Sequence, residues 1–392
     1  MSIFNSLGSN YDFNFVLKSL FSHDLRNELI KFLEKKYQGE AILLFKGRQA
    51  ITLALKLSNL PPNSLVAING LTCYAVYDGI KKAGYETEYI DLPLGKLNFD
   101  AANLRKKIQK NPNIKAVIVQ NTLGYPCDIE NISKLCKEES IILIEDLAHS
   151  IGTIYKNGRE AGTVGDFTVL SFSQDKIVDG VSGGALIIRH KKFQKTLQSF
   201  KNPPFYKQLT DTLYPLLTFV IRKTYDLRLG KIIHFVLRKT NLLSVPMDRT
   251  NYSLLSLPGF YSGLILKSFK NLGGDLNHRR KISEIYSKNL NSQILSKEIA
   301  NNTRKSSSLR FPIFIEKRDE LIKILKREGF YLSDIWYDYP IAPKKFAKLT
   351  NYKGDCSRAE KISGKIFNLP THRNISEIQA LYLAKLINEW VK

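Results

Sequence analysis

Between residues 40 and 190 short apolar runs alternate with stretches of helical period, and this alternation constrains the fold more than any other feature of the chain. Seven runs read as strands: AILLF (41–45), SLVAI (64–68), TEYIDL (87–92), IKAVIVQN (114–121), IILIED (141–146), FTVLSF (167–172) and GALIIR (184–189). Between them, stretches such as 77–84 and 129–137 carry apolar residues three and four apart. Continuously apolar strands joined through helices bury both their faces, and the arrangement that does so is a parallel sheet covered by helices. The reading is an α/β domain, and in such sheets ligands bind beyond the carboxyl ends of the strands.

Later segments read differently. A helical run follows residues 277–280, SLRFPIFI (308–315) reads as a strand, 318–327 as a helix and 375–391 as a closing amphipathic helix. We therefore expect a large domain over 1–250 and a connecting helix with a small C-terminal α+β domain over 251–392. With 392 residues, 43% of them apolar, the chain can bury a large core. Its 19 Tyr, 21 Phe and modest 24% of charged residues exclude a wholly disordered chain. The 59 Lys and Arg against 36 Asp and Glu leave +23, which favours anionic partners. Nucleic acid is not expected, because no aromatic-interleaved basic strand or helix-turn-helix pattern accompanies that charge. Cys73, Cys127, Cys136 and Cys356 are scattered without a CxxC pair or a His cluster, so neither a zinc site nor a disulfide scaffold is expected. The N-terminus lacks a signal-peptide pattern, and the most apolar stretch, 213–221, falls far short of the ~20 residues that span a bilayer. The expectation is a soluble, cytoplasmic protein with reduced thiols.

Three features carry chemistry. Lys176 in SFSQDK follows a strand and precedes a Gly-Gly pair, at the rim of the sheet; an ordinary surface lysine is the competing reading. Asp146 ends the apolar strand IILIED, with His149 three residues on. A carboxylate there needs a partner, and a cationic ring nitrogen is a suitable one; a helix cap is the alternative. FKGRQAITLAL (45–55) reads as strand, glycine turn and helix, whose first N–H groups can cradle a phosphate with help from Arg48. Ser171 adds a hydroxyl five residues before Lys176. A phosphate cradle, a carboxylate for a ring nitrogen and a lysine for an aldehyde together describe a site for pyridoxal 5'-phosphate.

In these motifs the chain resembles the DegT/StrS-type pyridoxal phosphate-dependent aminotransferases of fold type I, which act on nucleotide-linked keto-sugars. KGRQAITLAL resembles the family's phosphate turn, NTLGYPCDI its G-x-P-x-D segment, and the run from EDLAHSIG to VSGGALI its aspartate, lysine and Gly-Gly motifs in order. HRRKISEIY, LRFPI and CSRAEKISGKIFNLPTH resemble its C-terminal signatures. The similarity runs from about Ile42 to the C-terminus, interrupted over 205–245.

The resemblance implies a fold type I architecture, with a mostly parallel central sheet, and a role for each matching residue. Lys176 would hold the cofactor covalently and move a proton during transfer. Asp146 would pair with the ring nitrogen, and His149, where the family commonly has Gln, would contact the ring hydroxyl. Ser171 with Gly47, Arg48 and Gln49 would hold the phosphate. Asn251 would reach the phosphate of the neighbouring subunit, implying a homodimer with a shared site; a helix cap is its alternative. Cys73 stands where an aromatic ring usually stacks on the cofactor, with Tyr74 beside it. Ser253 replaces an arginine, for which Arg249 is a candidate substitute. The retained lysine favours amino transfer, with glutamate as donor, over the dehydration carried out by relatives that have histidine there. His278 and His372 are expected to be structural. Outside this reading stand another fold type I reaction on an amino acid or acyl compound, and a non-catalytic binding or regulatory relative.

The interrupting segment, 205–245, contains two stretches of helical period with seven Lys and Arg against two Asp, and Gly230 is expected to separate the helices. Such a pair can lie on an anionic membrane surface or pack on the protein body with its charge exposed. Peripheral contact at the inner face of a membrane is therefore one expectation for it.

Overall fold

A computed structural model of the chain describes residues 2–194, 199–246 and 254–391. The seven expected strands form one sheet: β1 (Glu40–Leu44), β2 (Leu65–Asn69), β3 (Glu86–Ile90), β4 (Ile114–Gln120), β5 (Ile142–Asp146), β6 (Phe167–Ser171) and β7 (Gly184–Ile188). Their order is β1-β7-β6-β5-β4-β2-β3. The strands run parallel except β7, which is antiparallel to both β1 and β6. Successive residues feed two different cores. Ala116 and Ile118 of β4 join one apolar cluster with Leu53 and Ile80, while Val117 and Val119 join another with Leu33 and Ile132. That period of two explains why the strands are apolar throughout.

The reversed strand positions the site. Parallel neighbours need a crossover that returns the chain to the far edge of the sheet, whereas antiparallel ones can be joined by a direct turn. The chain leaves β6 at Ser171, runs through residues 172–183, and enters β7 at Gly184, the register partner of Ser171. Lys176 is thereby kept at the carboxyl edge of the sheet.

The C-terminal part carries the antiparallel pair Phe311–Phe314 with Ile366–Leu369 and the helices Leu272–Asn289, Arg318–Arg327 and Glu377–Val391. The first of these helices begins at Leu272, ahead of residues 277–280, after which the helical run was expected. The expected domain boundary at 250/251 lies outside the described residues. Two short parallel ladders tie the parts together: Thr72–Cys73 with Ile341–Ala342, and Ile3–Phe4 with Phe330–Tyr331. The N-terminus thus pairs with the C-terminal part.

The segment 205–245 holds the two expected helices, Phe205–Lys223 and Leu229–Lys239. Gly230 does not separate them. It lies in the first turn of the second helix, where a Cβ would stand 2.1 Å from the Ile221 carbonyl oxygen, so its missing side chain lets the two helices meet. The break falls at residues 224–228 instead.

Candidate active site

A cavity of about 820 Å³ opens at the carboxyl edge of the sheet, lined by Gly47, Arg48, Cys73, Asp146, His149, Ser171 and Lys176 among others. Seven of the ten residues singled out in the sequence therefore meet at one place. Asn251 lies outside the described residues, as do Arg249 and Ser253.

Asp146 ends β5 and is buried. It accepts hydrogen bonds from Gln120 Nε2 and from the Ala148 N–H, both at 3.0 Å, the latter closing a turn and not capping a helix. Gln120 is its register partner on β4. Burial pushes the Asp146 carboxyl above the ordinary carboxylate value, against the pull of the Ala148 N–H, Lys176 and Gln120. No ion pair with a described residue satisfies it, so the site presents a buried carboxylate with room for a cation.

His149 is buried, and its ring stacks on Trp336 with centroids 5.3 Å apart and planes at 26°. The Leu123 N–H donates to its Nδ1 at 3.3 Å. Because that N–H can only donate, Nδ1 is the acceptor and the proton sits on Nε2. Burial first, then Lys176 and Arg310, pull its pKa well below the usual histidine value, so the ring is neutral. Burial likewise lowers the Lys176 pKa, against Cys73, Asp146 and Asp175. Its Nζ lies 4.7 Å from the centre of the Trp336 ring.

The turn expected to take the phosphate borders the cavity. Helix Gly47–Ser58 begins at the cavity, and its Gln49 N–H donates to the carbonyl of the capping Lys46 at 3.1 Å. Glycine is required there: a Cβ on Gly47 would lie 2.8 Å from Ser171 Cβ, and one on Gly184 would lie 2.6 Å from Gly47 N. The side chains depart from expectation. Gln49 turns back to accept from the Lys46 N–H at 3.2 Å and does not line the cavity. The Arg48 guanidinium pairs with Asp78 at 3.4 Å and donates to the Pro246 carbonyl at 3.1 Å. Tyr74 also stays out of the cavity, its ring packed on Phe346 with centroids 4.8 Å apart. Cys73 lines the cavity and caps helix Tyr74–Ala83 through its sulfur.

Other residues at the site carry no periodic signal in the sequence. Trp336 and Tyr337 close the cavity wall. Arg310 is buried with its guanidinium 5.1 Å from the Trp336 ring centre, and its Nη2 has no hydrogen-bond partner among the described residues. Buried Lys46 donates to Ser182 Oγ at 3.2 Å. Ser182 in turn donates to Asp211 of the first basic helix at 2.7 Å, and Asp211 also accepts from Lys207 at 2.8 Å and Tyr261 at 3.0 Å. Burial raises the Asp211 pKa, but Lys46 and Lys207 outweigh it and leave the carboxyl below its ordinary value.

The N-terminal segment clamps the lysine loop from outside the cavity. The Ser9 N–H and Oγ both donate to Asp175 Oδ1 at 3.0 Å, Asn10 Nδ2 donates to the Lys176 carbonyl at 3.0 Å, and the Tyr11 hydroxyl donates to Asp179 at 2.8 Å. Arg279 holds Asn10 Oδ1 at 2.7 Å. His278 and His372 face backbone carbonyls, of His372 at 3.2 Å and of Phe4 at 2.8 Å, which fits their expected structural roles.

Comparison with known proteins gives a consistent result. The family model for the DegT/DnrJ/EryC1/StrS aminotransferase family matches residues 17–222 and 255–387. The match begins well before Ile42, and its gap, 223–254, starts later than the expected interruption at 205–245. The first basic helix therefore lies within the matched part. GDP-perosamine synthase of Escherichia coli O157:H7 is 24% identical over 364 residues, spanning 92% of this chain and 88% of that protein. The putative pyridoxal phosphate-dependent aminotransferase EpsN of Bacillus subtilis is 32% identical over 145 residues, 36% of this chain and 37% of that protein. Among solved structures, Helicobacter pylori PseC, an aminotransferase involved in the biosynthesis of pseudoaminic acid, superimposes with a TM-score of 0.71 at 17% identity, over 96% of this chain and 95% of that one. The PLP-form of the putative sugar aminotransferase Spr1654 from Streptococcus pneumoniae gives 0.71 at 17% identity, over 97% of each chain.

Proposed function

This chain belongs to the DegT/DnrJ/EryC1/StrS aminotransferase family, and from that membership we propose that it moves an amino group from glutamate to the ketone of a nucleotide-linked sugar, with pyridoxal 5'-phosphate as cofactor. The reading is carried by one observation: a buried carboxylate in no ion pair with a described residue, Asp146, shares a cavity with Lys176 and with the start of helix Gly47–Ser58. These are the groups that a ring cation, an aldehyde and a phosphate require. When bound, the cofactor supplies an electron sink for the bond changes at the substrate's reacting carbon.

The chain's own residues do the rest. Lys176 would hold the cofactor through its aldehyde carbon, and its free amine would move a proton between donor carbon and cofactor. Its lowered pKa favours the neutral amine that both tasks need. Asp146 keeps the ring nitrogen protonated, oriented by Gln120 and the Ala148 N–H. His149, its tautomer fixed by the Leu123 N–H, would donate from Nε2 to the cofactor's ring oxygen. Ser171 Oγ and the first-turn N–H groups of the Gly47 helix take the phosphate. Trp336 lies over Lys176 and would be the aromatic side chain available to the cofactor where Cys73 and Tyr74 present no ring to the cavity.

We further propose a homodimer in which Asn251 completes the partner's phosphate site. Among the described residues no helix is long and apolar enough to cross a membrane; the proposed location is the cytoplasm, with peripheral contact at the inner membrane face through the basic helices. Mass-spectrometric assay with glutamate and a panel of keto-sugar nucleotides tests the reaction. An aminated sugar nucleotide formed with saturation kinetics is expected. Saturation only by a free amino acid or an acyl compound would replace this reading with another reaction of the fold.

A further inference from the structure

Three helices turn apolar stripes away from the protein. In Leu229–Lys239 the inward side is Gly230, Ile233, His234 and Leu237, whereas Leu229, Ile232, Phe235 and Val236 are 51%, 60%, 66% and 48% exposed. In Phe205–Lys223 the buried residues include Lys207, Asp211 and Thr218, while Phe205, Leu209, Leu213 and Val220 face out. In Phe13–Leu20 the buried residues are Val16 and Ser19, while Phe13, Leu17 and Leu20 are exposed, continued by Phe21. A helix of a globular protein ordinarily buries its apolar stripe and shows the polar one. Here polar groups are spent inward, on the buried network around Asp211, and the apolar stripes are left to the outside.

The three helices are neighbours. Phe13 meets Phe219 with ring centroids 6.2 Å apart, and Gly230 brings the second basic helix onto the Ile221 carbonyl of the first. Cations flank the stripes. Lys223, Arg228, Lys231, Arg238 and Lys239 are exposed, and none forms an ion pair with a described residue. Lys223 and Lys239 lie 5.6 Å and 6.0 Å from the ring centres of Phe219 and Phe235, each cation beside an aromatic ring of the same helix.

We propose that this three-helix face docks on an anionic lipid bilayer, with the apolar stripes in the headgroup layer and the flanking cations on lipid phosphates. The proposal rests on the peripheral location given above and is independent of the reaction. Charge separates the bilayer from a second copy of the chain as occupant. A two-fold contact sets the same patch against itself, and here it would bring unpaired cations together. An anionic surface neutralises them instead. His234 and Arg238 also line the cavity, so docking brings its mouth beside the lipid.

The test is cosedimentation of the full chain, loaded with pyridoxal phosphate, with vesicles of phosphatidylglycerol and phosphatidylcholine or of phosphatidylcholine alone. Binding is expected only with the anionic vesicles, weakening as salt rises. Lys231→Glu with Lys239→Glu should reduce partitioning by more than about tenfold. Ile232→Asp with Phe235→Asp should do the same, and Leu17→Asp should weaken it separately. An unchanged melting temperature shows that a variant has kept its fold, and the charge pair serves if the apolar pair has not. Absent binding at low salt, equal binding to both vesicle types, or binding unmoved by both pairs overturns the proposal. So does a dimer, seen without lipid, that the apolar pair dissociates, because the face then belongs to a second copy. Amino transfer assayed without vesicles reports on the reaction alone, so either reading can fail by itself.

Discussion

The side-chain nitrogen of Lys176 lies 4.7 Å from the centre of the Trp336 ring, and the same indole stacks on His149 and lies 5.1 Å from the Arg310 guanidinium carbon. One ring therefore sets the polarity and access of the lysine, a histidine and a buried cation. Trp336→Ala should weaken retention of pyridoxal phosphate by roughly tenfold, about 1.4 kcal/mol, and Trp336→Phe should recover most of it. Equilibrium titration of the apoprotein measures both; equal affinity in all three proteins would remove Trp336 from the site.

Asp146 accepts from two donors and forms no ion pair with a described residue. Asp146→Asn keeps its size but cannot hold a ring nitrogen protonated, so kcat should fall by about 10²–10³. Single-turnover rates with glutamate check this.

The clamp on the lysine loop has a pH signature. Burial, aided by Asp175, pushes the Asp179 carboxyl up to about 7. Between the ordinary carboxylate value of 3.8 and that value, the folded chain holds a proton that the unfolded chain has released. Stability from this group is therefore complete in acid and declines as pH rises through about 7. Asp179→Asn has no such proton, so the gap in melting temperature between it and the unaltered chain should narrow as pH rises from about 5 to about 8. A constant gap would contradict the assignment.

Asp211 ties the first basic helix to Ser182 and Tyr261 and pairs with buried Lys207 of the same helix. Asp211→Ala leaves that ammonium unpaired and should cost about 3–5 kcal/mol. Urea unfolding measures it, and limited proteolysis should cut the 224–228 turn sooner.

The close approach at Gly47 can be tested in the same way. The methyl of Gly47→Ala would stand 2.8 Å from Ser171 Cβ, which should destabilise the fold by about 1–3 kcal/mol and loosen phosphate binding together with it. Urea unfolding and a phosphate-competition titration of the apoprotein measure the two effects.

The parts of this site that follow strands were legible in the sequence. Asp146 and Ser171 end apolar runs, Lys176 precedes a Gly-Gly pair, and the sheet formed from the seven runs that period and composition marked. What was not legible rests on contacts between distant segments. Asn10 meets Lys176 across 166 residues, and Lys46 meets Ser182 across 136; no local pattern encodes either pair. Gln49 and Gly230 follow the same rule: the Lys46 N–H claims the Gln49 side chain, and a neighbouring helix, not a helix break, sets the need for glycine at 230. The outward stripes were half visible: periodicity marked the helices as amphipathic, but only packing decides which side faces in.

The central claim is that Lys176 holds pyridoxal phosphate in the cavity beneath Trp336. Its most direct test is the visible absorption of the purified chain before and after glutamate, beside Lys176→Ala. A yellow protein that bleaches with glutamate, next to a variant that does not respond, is the result expected. A colourless protein that takes up no added pyridoxal phosphate would contradict the account.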